Sequence, residues 1–171
     1  PPEGGTPPRG GRRLDMRIAS SVEYATRIML HLARLEPSTT LSAEKISEAE
    51  NIPRDYMDQI LAKLRRCSLV LSRRGAQGGY CLAKPPSAIS MGMIVRAVDD
   101  TVFEAVCDRY AEGEQACTHT RGCGIRPVWQ KLGLLVEGYL DKVSLEHLQG
   151  EEPCVGSRVD LLFSRPPALR R

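Results

Sequence analysis

The stretch PRDYMDQILAKLRRCSLVLSRRGAQGGYCL, residues 53–82, decides the fold that the sequence predicts. In its first half, apolar residues recur at the three- and four-residue steps of an amphipathic helix, whose opposite side is polar and basic. Its second half reads as two short strands, residues 70–74 and 80–82, around a glycine-rich turn at 75–79. The pattern therefore predicts a helix followed by a basic β-hairpin.

Two further helices are predicted before this stretch. The first runs up to Pro37, and Ser20 or Ser21 can cap its N-terminal end. Its inward face is predicted to consist of Tyr24, Ala25, Ile28, Met29, Leu32 and Leu35. The second helix is predicted at about residues 42–50, with Leu41, Ile46 and Ala49 facing inward, and residues 51–53 break it.

Two short helices joined by a tight turn, the second with a basic face, are typical of a helix-turn-helix. An ordinary helical hairpin is the alternative. The basic hairpin that follows, with Arg73 and Arg74 at its tip, favours a winged helix. In that fold the second helix enters the major groove and the wing reaches the minor groove or the backbone. The predicted fold class is mainly α, a winged helix-turn-helix with a long C-terminal dimerisation helix.

A long helix is predicted towards the C-terminus, after a short one at 91–98 that Ser90 can cap. Pro127 opens the long helix, and its apolar residues form a coiled-coil-like seam of Trp129, Leu132, Val136, Tyr139 and Val143, widened by Leu135 and Leu140. Little of the chain is left to cover this seam, so we expect a second subunit to cover it. A two-fold homodimer would present two recognition helices to a palindromic DNA site.

The predicted organisation has five parts. Residues 1–15 are rich in Pro, Gly and Arg and are expected to be a disordered extension. The winged helix-turn-helix domain spans 16–98, a cysteine loop spans 99–126, and the dimerisation helix with a last turn spans 127–149. Residues 150–171 are expected to form a flexible tail, and Cys154 in it is not expected to bind metal.

Three cysteines lie in the polar segment CDRYAEGEQACTHTRGC, residues 107–123, with the spacing C-x9-C-x5-C. Thiolates on one short loop can converge on one metal centre, and iron–sulfur clusters favour thiolate ligands. Redox thiols or a disulfide are an alternative, as are three unrelated thiols. A zinc site is a further alternative, although the tight cysteine pairs typical of zinc are absent from the sequence.

Charge is distributed unevenly along the chain, although the net charge is only +3. Residues 52–84 carry seven Lys or Arg against two Asp, whereas residues 99–117 carry six acids against one Arg. A basic surface of this kind predicts a polyanionic partner such as double-stranded DNA.

No apolar run is long enough to span a membrane and no secretory signal is visible, so we expect a cytoplasmic protein that keeps its six cysteines reduced. No nucleotide-binding glycine loop or nucleophile–base pair is present in the sequence, which argues against an enzyme.

From Met16 to about Leu148 the chain resembles the IscR/NsrR family of bacterial iron–sulfur transcriptional regulators. The most specific match is the wing motif Arg-Gly-Ala-Gln-Gly-Gly-Tyr at 74–80. The other matching segments are 16–18 with 24–25, the recognition helix 56–64, the segment 94–99, the cysteine loop and the Trp129 helix. The resemblance implies a winged-helix homodimer that senses redox state, iron or nitric oxide through a [2Fe–2S] or [4Fe–4S] cluster.

The resemblance also implies roles for individual residues. Asp58, Gln59 and Arg74 resemble the base- and groove-contacting residues, and the predicted DNA-binding set is completed by Arg54, Asp55, Tyr56, Lys63, Arg73 and Gln77. Cys107, Cys117 and Cys123 resemble the cysteine ligands. Glu23 stands where some members take a fourth ligand from the partner subunit, and His119 is the alternative.

The chain departs from the family pattern at several positions. The spacing between Cys107 and Cys117 is longer than usual, and Arg126, which cannot ligate a metal, occupies the position of a ligating histidine in other members. Ser68 replaces the glycine expected after the recognition helix, which predicts a small local cost if that residue is left-handed. Cys67 and Cys81 are expected to be buried as small apolar residues.

Overall fold

The structure, a computed structural model, describes residues 18–37, 39–75, 78–99, 124–150 and 152–163. In these residues six α-helices accompany one two-stranded antiparallel sheet and a 3-10 turn at Pro86–Ala88. In chain order the elements are α1 Ser20–Ala33, α2 Ala43–Glu50, α3 Arg54–Arg66, β1 Val70–Arg73, β2 Gly79–Leu82, α4 Met91–Val98, α5 Arg126–Lys142 and α6 Glu152–Phe163. The predicted extension 1–15 lies outside the described residues.

Helices α1 to α4 enclose one hydrophobic core. The predicted inward face of α1 is confirmed, because Ala25, Ile28, Met29 and Leu32 are buried and Tyr24 and Leu35 pack against the core. The predicted serine cap is wrong. Helix α1 begins at Ser20 with Ala19 in the capping position, and an alanine side chain has no oxygen that could accept a hydrogen bond from the first turn.

Helix α2 begins one residue later than predicted, and Ser42 caps it by accepting a hydrogen bond from the Lys45 backbone N–H at 3.4 Å. Ile46 is buried as expected, but Ala49 is exposed and Ala43 is buried in its place. Each step of three residues falls about 60° short of a full helical turn. Ala49 therefore lies about 120° away from Ala43 around the helix and leaves the core face.

The two helices of the helix-turn-helix end in the same way. At each end a residue with left-handed backbone follows the helix, Asn51 after α2 (φ +51°) and Ser68 after α3 (φ +55°). Paired backbone hydrogen bonds close each turn, for example from Ser68 N–H to the Arg65 carbonyl and from Leu69 N–H to the Leu64 carbonyl, both at 3.0 Å. The condition under which Ser68 was expected to carry a small local cost is therefore met.

The wing is attached to the segment before α2 as well as to α3. In the hairpin, Val70 pairs with Leu82 and Arg73 with Gly79. Tyr80 and Leu41 exchange backbone hydrogen bonds of 2.8 and 3.0 Å, so Leu41 adds a bridge to the outer side of β2. Gly79 has φ +151°, and a Cβ there would collide with the Leu41 carbonyl, so only glycine permits this close approach.

Helix α4 is fixed to the C-terminal end of α5. The predicted Ser90 cap is confirmed, since its hydroxyl accepts from the Met93 N–H at 3.2 Å. The Met91 N–H donates to the Val143 carbonyl at 2.7 Å, and the Leu145 N–H donates to the Ile89 carbonyl at 2.9 Å. The predicted last turn around residues 144–148 is also present, and it buries Leu145 in the core.

The C-terminal region differs from the predicted flexible tail, because Glu152–Phe163 forms helix α6. Pro153 occurs in the first turn of that helix, where a missing N–H costs little. The Arg158 guanidinium donates to the Glu146 carbonyl at 3.2 Å and also to the Gln149 carbonyl. Phe163 stacks on Tyr139 of α5 with 4.3 Å between ring centroids, so contacts distant in sequence hold this helix.

The two cysteines expected to be buried differ in their surroundings. Cys81, on β2, is buried as predicted, whereas Cys67 is exposed where α3 ends. The prediction for Cys67 is wrong because the chain turns away from the core after Leu64 and re-enters it only at Leu69. Among the described helices, none combines the length and apolarity needed to cross a bilayer.

Candidate nucleic-acid interface

Helix α3 presents a polar face on the side opposite the core. Met57, Ile60, Leu61 and Leu64 are buried. The exposed side, here called the recognition face, consists of Arg54, Asp55, Asp58, Gln59, Ala62, Arg65 and Arg66. At about 100° per residue these side chains share one sector of the helix. The predicted contacts Arg54, Asp55, Asp58 and Gln59 therefore lie on one accessible surface.

The N-terminal end of the recognition face is a small ionic network. Arg54 contacts the carboxylates of Glu44, on α2, at 3.0 Å and of Asp58, one turn along α3, at 3.3 Å. Hydrogen bonds to Asp58 and then to Glu44 raise the pKa of Arg54 above its ordinary value. Since two carboxylates surround one guanidinium, this end carries a net negative charge. The network also links the two helices of the helix-turn-helix.

The C-terminal end of the recognition face joins the wing through positive charges. The Arg65 guanidinium donates to the Ser72 hydroxyl of β1 at 3.5 Å. Arg73 and Arg74 are exposed at the far end of β1. These two residues together with Arg65 and Arg66 form what we call the basic end. The predicted contact Gln77 lies outside the described residues.

Two predicted contacts, Tyr56 and Lys63, lie on the flank of α3 rather than on the recognition face. They are seven residues apart, which is close to two helical turns, so they share one side. Tyr56 meets Tyr24 of α1 edge to face at 5.7 Å between ring centroids. The Lys63 ammonium donates to the Val98 carbonyl at the end of α4, at 2.8 Å. In the structure Lys63 thus bonds another helix, and its DNA contact remains a prediction.

Three residues outside the predicted set share the recognition face. Ala62 lies near its centre, and its small side chain would let the helix approach a duplex closely. Arg65 and Arg66 extend the face towards the wing. The helical period that groups Arg54 with Asp58 also groups these three, so the signal was present in the sequence.

The proposed metal ligands Cys107, Cys117 and Cys123, and the alternative His119, lie outside the described residues. Glu23, the predicted fourth ligand, is exposed on α1. Within the described ranges no group of three or more His, Cys, Asp or Glu side chains is placed to hold a metal. Three thiolates and a carboxylate are nevertheless a donor set that suits iron.

Helix α5 exposes a wide apolar surface. Among the described residues from Arg126 to Lys142 none is buried. Trp129, Leu132, Leu135 and Tyr139 are exposed members of the predicted seam. The seam is shorter than predicted, because Val143 is buried and Leu140 packs against the core of this chain. The remainder is a contiguous apolar stripe of the kind that marks an interaction surface.

Known proteins resemble this chain over most of its length. The Rrf2 family model, described as "Iron-dependent Transcriptional regulator", matches residues 18–151. The transcriptional regulator IscR of Aliivibrio salmonicida is 33% identical over 133 residues, covering 78% of this chain and 77% of that protein. IscR of Yersinia pseudotuberculosis is 32% identical over 133 residues, covering 78% and 79% of the two chains.

Solved structures agree with the winged-helix fold. CymR of B. subtilis, described as its global cysteine regulator, has a TM-score of 0.64 and 28% identity, covering 78% of this chain and 95% of that one. IscR of T. potens has a TM-score of 0.63 and 27% identity, covering 81% and 95%. CymR of S. aureus in an oxidised form has a TM-score of 0.62 and 27% identity, covering 80% of this chain and 98% of that one.

Proposed function

The chain belongs to the Rrf2 family of DNA-binding transcriptional regulators, and on that basis we propose that it binds a palindromic operator as a homodimer under the control of its cysteine segment. The observation that carries this proposal is the exposed recognition face of α3, which continues through the basic end onto the wing. The relatives are regulators rather than enzymes, and the role proposed here is likewise one of binding.

In the proposed complex α3 enters the major groove. Gln59 is the residue best suited to read bases, because an amide can bond adenine in two places, and Asp58 can accept from cytosine. Arg65, Arg66, Arg73 and Arg74 neutralise phosphates or enter the adjacent minor groove. Arg54 contributes less to affinity because Glu44 and Asp58 already offset its charge.

The proposed dimer forms through α5. The helix has 17 residues, about 25 Å of length, and in the part of the chain that the structure describes Leu132, Leu135 and Tyr139 of its apolar stripe are exposed. An identical stripe on a second copy is a complementary partner for it, and two-fold symmetry would place two copies of α3 on the two halves of a palindrome.

For the sensor we propose an iron–sulfur cluster held by Cys107, Cys117, Cys123 and the partner subunit's Glu23. The support is the donor set, the exposure of Glu23 on α1 and the likeness to IscR regulators. A bound cluster would respond to oxygen, nitric oxide or iron supply, since a carboxylate is a weaker ligand for iron than a thiolate.

In a second candidate function the protein binds DNA in the same way, but the same cysteines act as redox thiols or form a zinc site, without a cluster. The likeness to CymR, one structure of which is of an oxidised form, favours the thiol version. In that version two thiols form a disulfide, and two protons and two electrons pass to an oxidant such as a peroxide.

The DNA interface is tested by measuring affinity over a range of salt concentrations for Arg74→Ala and Gln59→Ala. Arg74→Ala should weaken binding to every sequence and lower the slope of log affinity against log salt by about 1. Gln59→Ala should instead relax the preference between operator and mutated operator by about 1–3 kcal/mol. Wild-type behaviour of Arg74→Ala at every salt concentration would contradict the wing assignment.

The sensor is tested by assaying iron, acid-labile sulfide and zinc in anaerobically purified protein. Cys107→Ala and Cys123→Ala should lose both iron and sulfide, whereas Cys154→Ala, a cysteine in α6, serves as the matched control and should retain them. Zinc without sulfide, or a reversible disulfide without metal, would favour the second candidate. Full iron and sulfide in the Cys107 and Cys123 variants would refute the ligand assignment.

A further inference from the structure

Lys63 joins the recognition helix to the end of the helix that leads into the cysteine segment. Its ammonium donates a hydrogen bond to the Val98 carbonyl at 2.8 Å, across 35 residues of sequence. Val98 is the last residue of α4 and its side chain is buried. A cation at the C-terminal end of a helix is favourable, because it meets carbonyls that lack a partner within the helix and the negative end of the helix dipole.

The position of this bond along the chain is significant. Asp99 follows Val98 in extended conformation and is the last described residue before the segment with the three cysteines. The peptide group that Lys63 bonds therefore lies directly before that segment in the chain.

Helix α4 is also bonded to the end of α5. The Met91 N–H, in its first turn, bonds the Val143 carbonyl, and Arg96, in its last turn, pairs with Asp141 through contacts of 2.6 and 3.3 Å. Asp141 therefore links α4 to α5, whereas Lys63 links the end of α4 to α3, directly before the cysteine segment.

From this arrangement we infer that Lys63 is a positioning residue, which transmits the state of the cysteine segment to α3 and does not contact DNA phosphate. The inference deepens the proposed function and rests on it. The flank position of Lys63 supports this assignment, because its neighbour on that side, Tyr56, likewise contacts another helix of the same chain.

The test compares two substitutions of Lys63 in the full-length protein. Lys63→Met removes the donor and keeps a side chain of similar length, whereas Lys63→Arg keeps a cationic donor. Arg66→Met removes a positive charge from the recognition face of the same helix and serves as the control. For each protein, operator affinity is measured after anaerobic reduction and after exposure to oxygen, at several salt concentrations.

The expected result for Lys63→Met is a ratio of affinities between the two states that moves towards one, by about 2- to 30-fold, with an unchanged salt slope. Lys63→Arg should restore the wild-type ratio. Arg66→Met should keep the ratio and lower the salt slope in both states, by about 1. A merely structural role for Lys63 would alter both affinities equally and leave the ratio at its wild-type value.

Two results would overturn the inference. One is a Lys63→Met protein with the wild-type ratio, and the other is a salt slope reduced by about 1 in both states, which would make Lys63 a phosphate contact. Failure of the proposed function is recognised separately, in the wild type before any substitution. Equal affinity in the two states, or no operator binding, would remove the regulation that Lys63 is inferred to transmit.

Discussion

The winged-helix head, residues 18–99, and helix α5 share the same kind of amphipathic pattern, but the head buries its apolar side chains and α5 exposes them. In the head the apolar faces of α1, α2, α3 and α4 converge on one core, and Ile28, Met57, Leu61 and Ile94 are completely enclosed. In α5 the apolar side chains repeat at equivalent steps, yet none of the described residues of that helix is buried.

Periodicity therefore identifies the face of a helix that needs a partner but does not identify the partner. The head provides most of its own partner surface, because its four helices pack on one another, and Leu145 from the turn after α5 completes the core. Within the described residues the contacts of α5 include, at its C-terminal end, Leu140 against the core and Tyr139 stacked on Phe163. We therefore expect the core of the head to form within one chain and the α5 stripe to depend on a second chain.

The largest expected effect follows from placing a charge on the α5 stripe. Leu132→Asp should convert the proposed dimer to a monomer, because a carboxylate in an apolar interface has no partner to offset its desolvation. Operator affinity should fall by about 100-fold or more, since the two recognition helices would no longer bind as one unit. Sedimentation and operator titration measure the two effects.

Leu134→Asp is the matched control for that substitution. Leu134 is also exposed, but two residues correspond to about 200° of rotation, so it lies on the opposite side of α5 from Leu132. The control should remain a dimer with unchanged affinity. If both variants stay dimeric, the stripe is not the dimer interface, and dimerisation does not explain why the apolar residues of α5 are exposed.

The second prediction contrasts two leucine truncations. Leu61→Ala in the fully buried core of the head should lower the free energy of unfolding by about 2–5 kcal/mol, because it leaves a cavity that its neighbours cannot fill. Leu134→Ala, at a side chain that is 65% exposed, should change it by less than about 0.5 kcal/mol. Urea unfolding followed by circular dichroism measures both, and equal effects would contradict the contrast in burial.

The same contrast explains which elements could be predicted from the sequence. The faces of α1 and α3, the hairpin and the Ser90 cap depend on neighbouring residues, and each is present in the structure. Helix α6 was missed because its apolar residues form no clear stripe. It is held by Arg158 bonding backbone carbonyls of the preceding turn and by the Tyr139–Phe163 stack, and no local pattern encodes such contacts.

The candidate site was predictable to a similar degree. The helical period correctly groups the exposed residues of α3, including Asp58 and Gln59. It could not reveal that Arg54 lies between Glu44 and Asp58, or that Lys63 bonds the Val98 carbonyl, because those partners are fixed by the packing of separate helices. The cysteine ligands remain predictions, since they lie outside the described residues.

The smallest expected effect concerns backbone strain inside the head. Ser68 occupies the left-handed position after α3, where a side chain costs about 1–2 kcal/mol and glycine costs almost nothing. Part of that gain is lost because glycine also makes the unfolded chain more flexible. Ser68→Gly should therefore stabilise the head by about 0.5–1 kcal/mol, measured by urea unfolding, and leave the dimer dissociation constant unchanged.

Asn51→Gly tests whether the effect of Ser68→Gly comes from the backbone. Asn51 occupies the equivalent left-handed position after α2 and makes the corresponding pair of turn hydrogen bonds, but asparagine tolerates this conformation far better than serine. Its replacement should give little or no stabilisation. If both glycine variants were equally stabilised, strain at Ser68 would not be the cause. If Ser68→Gly also altered dimerisation, the head and the α5 stripe would not be the independent regions that their burial patterns indicate.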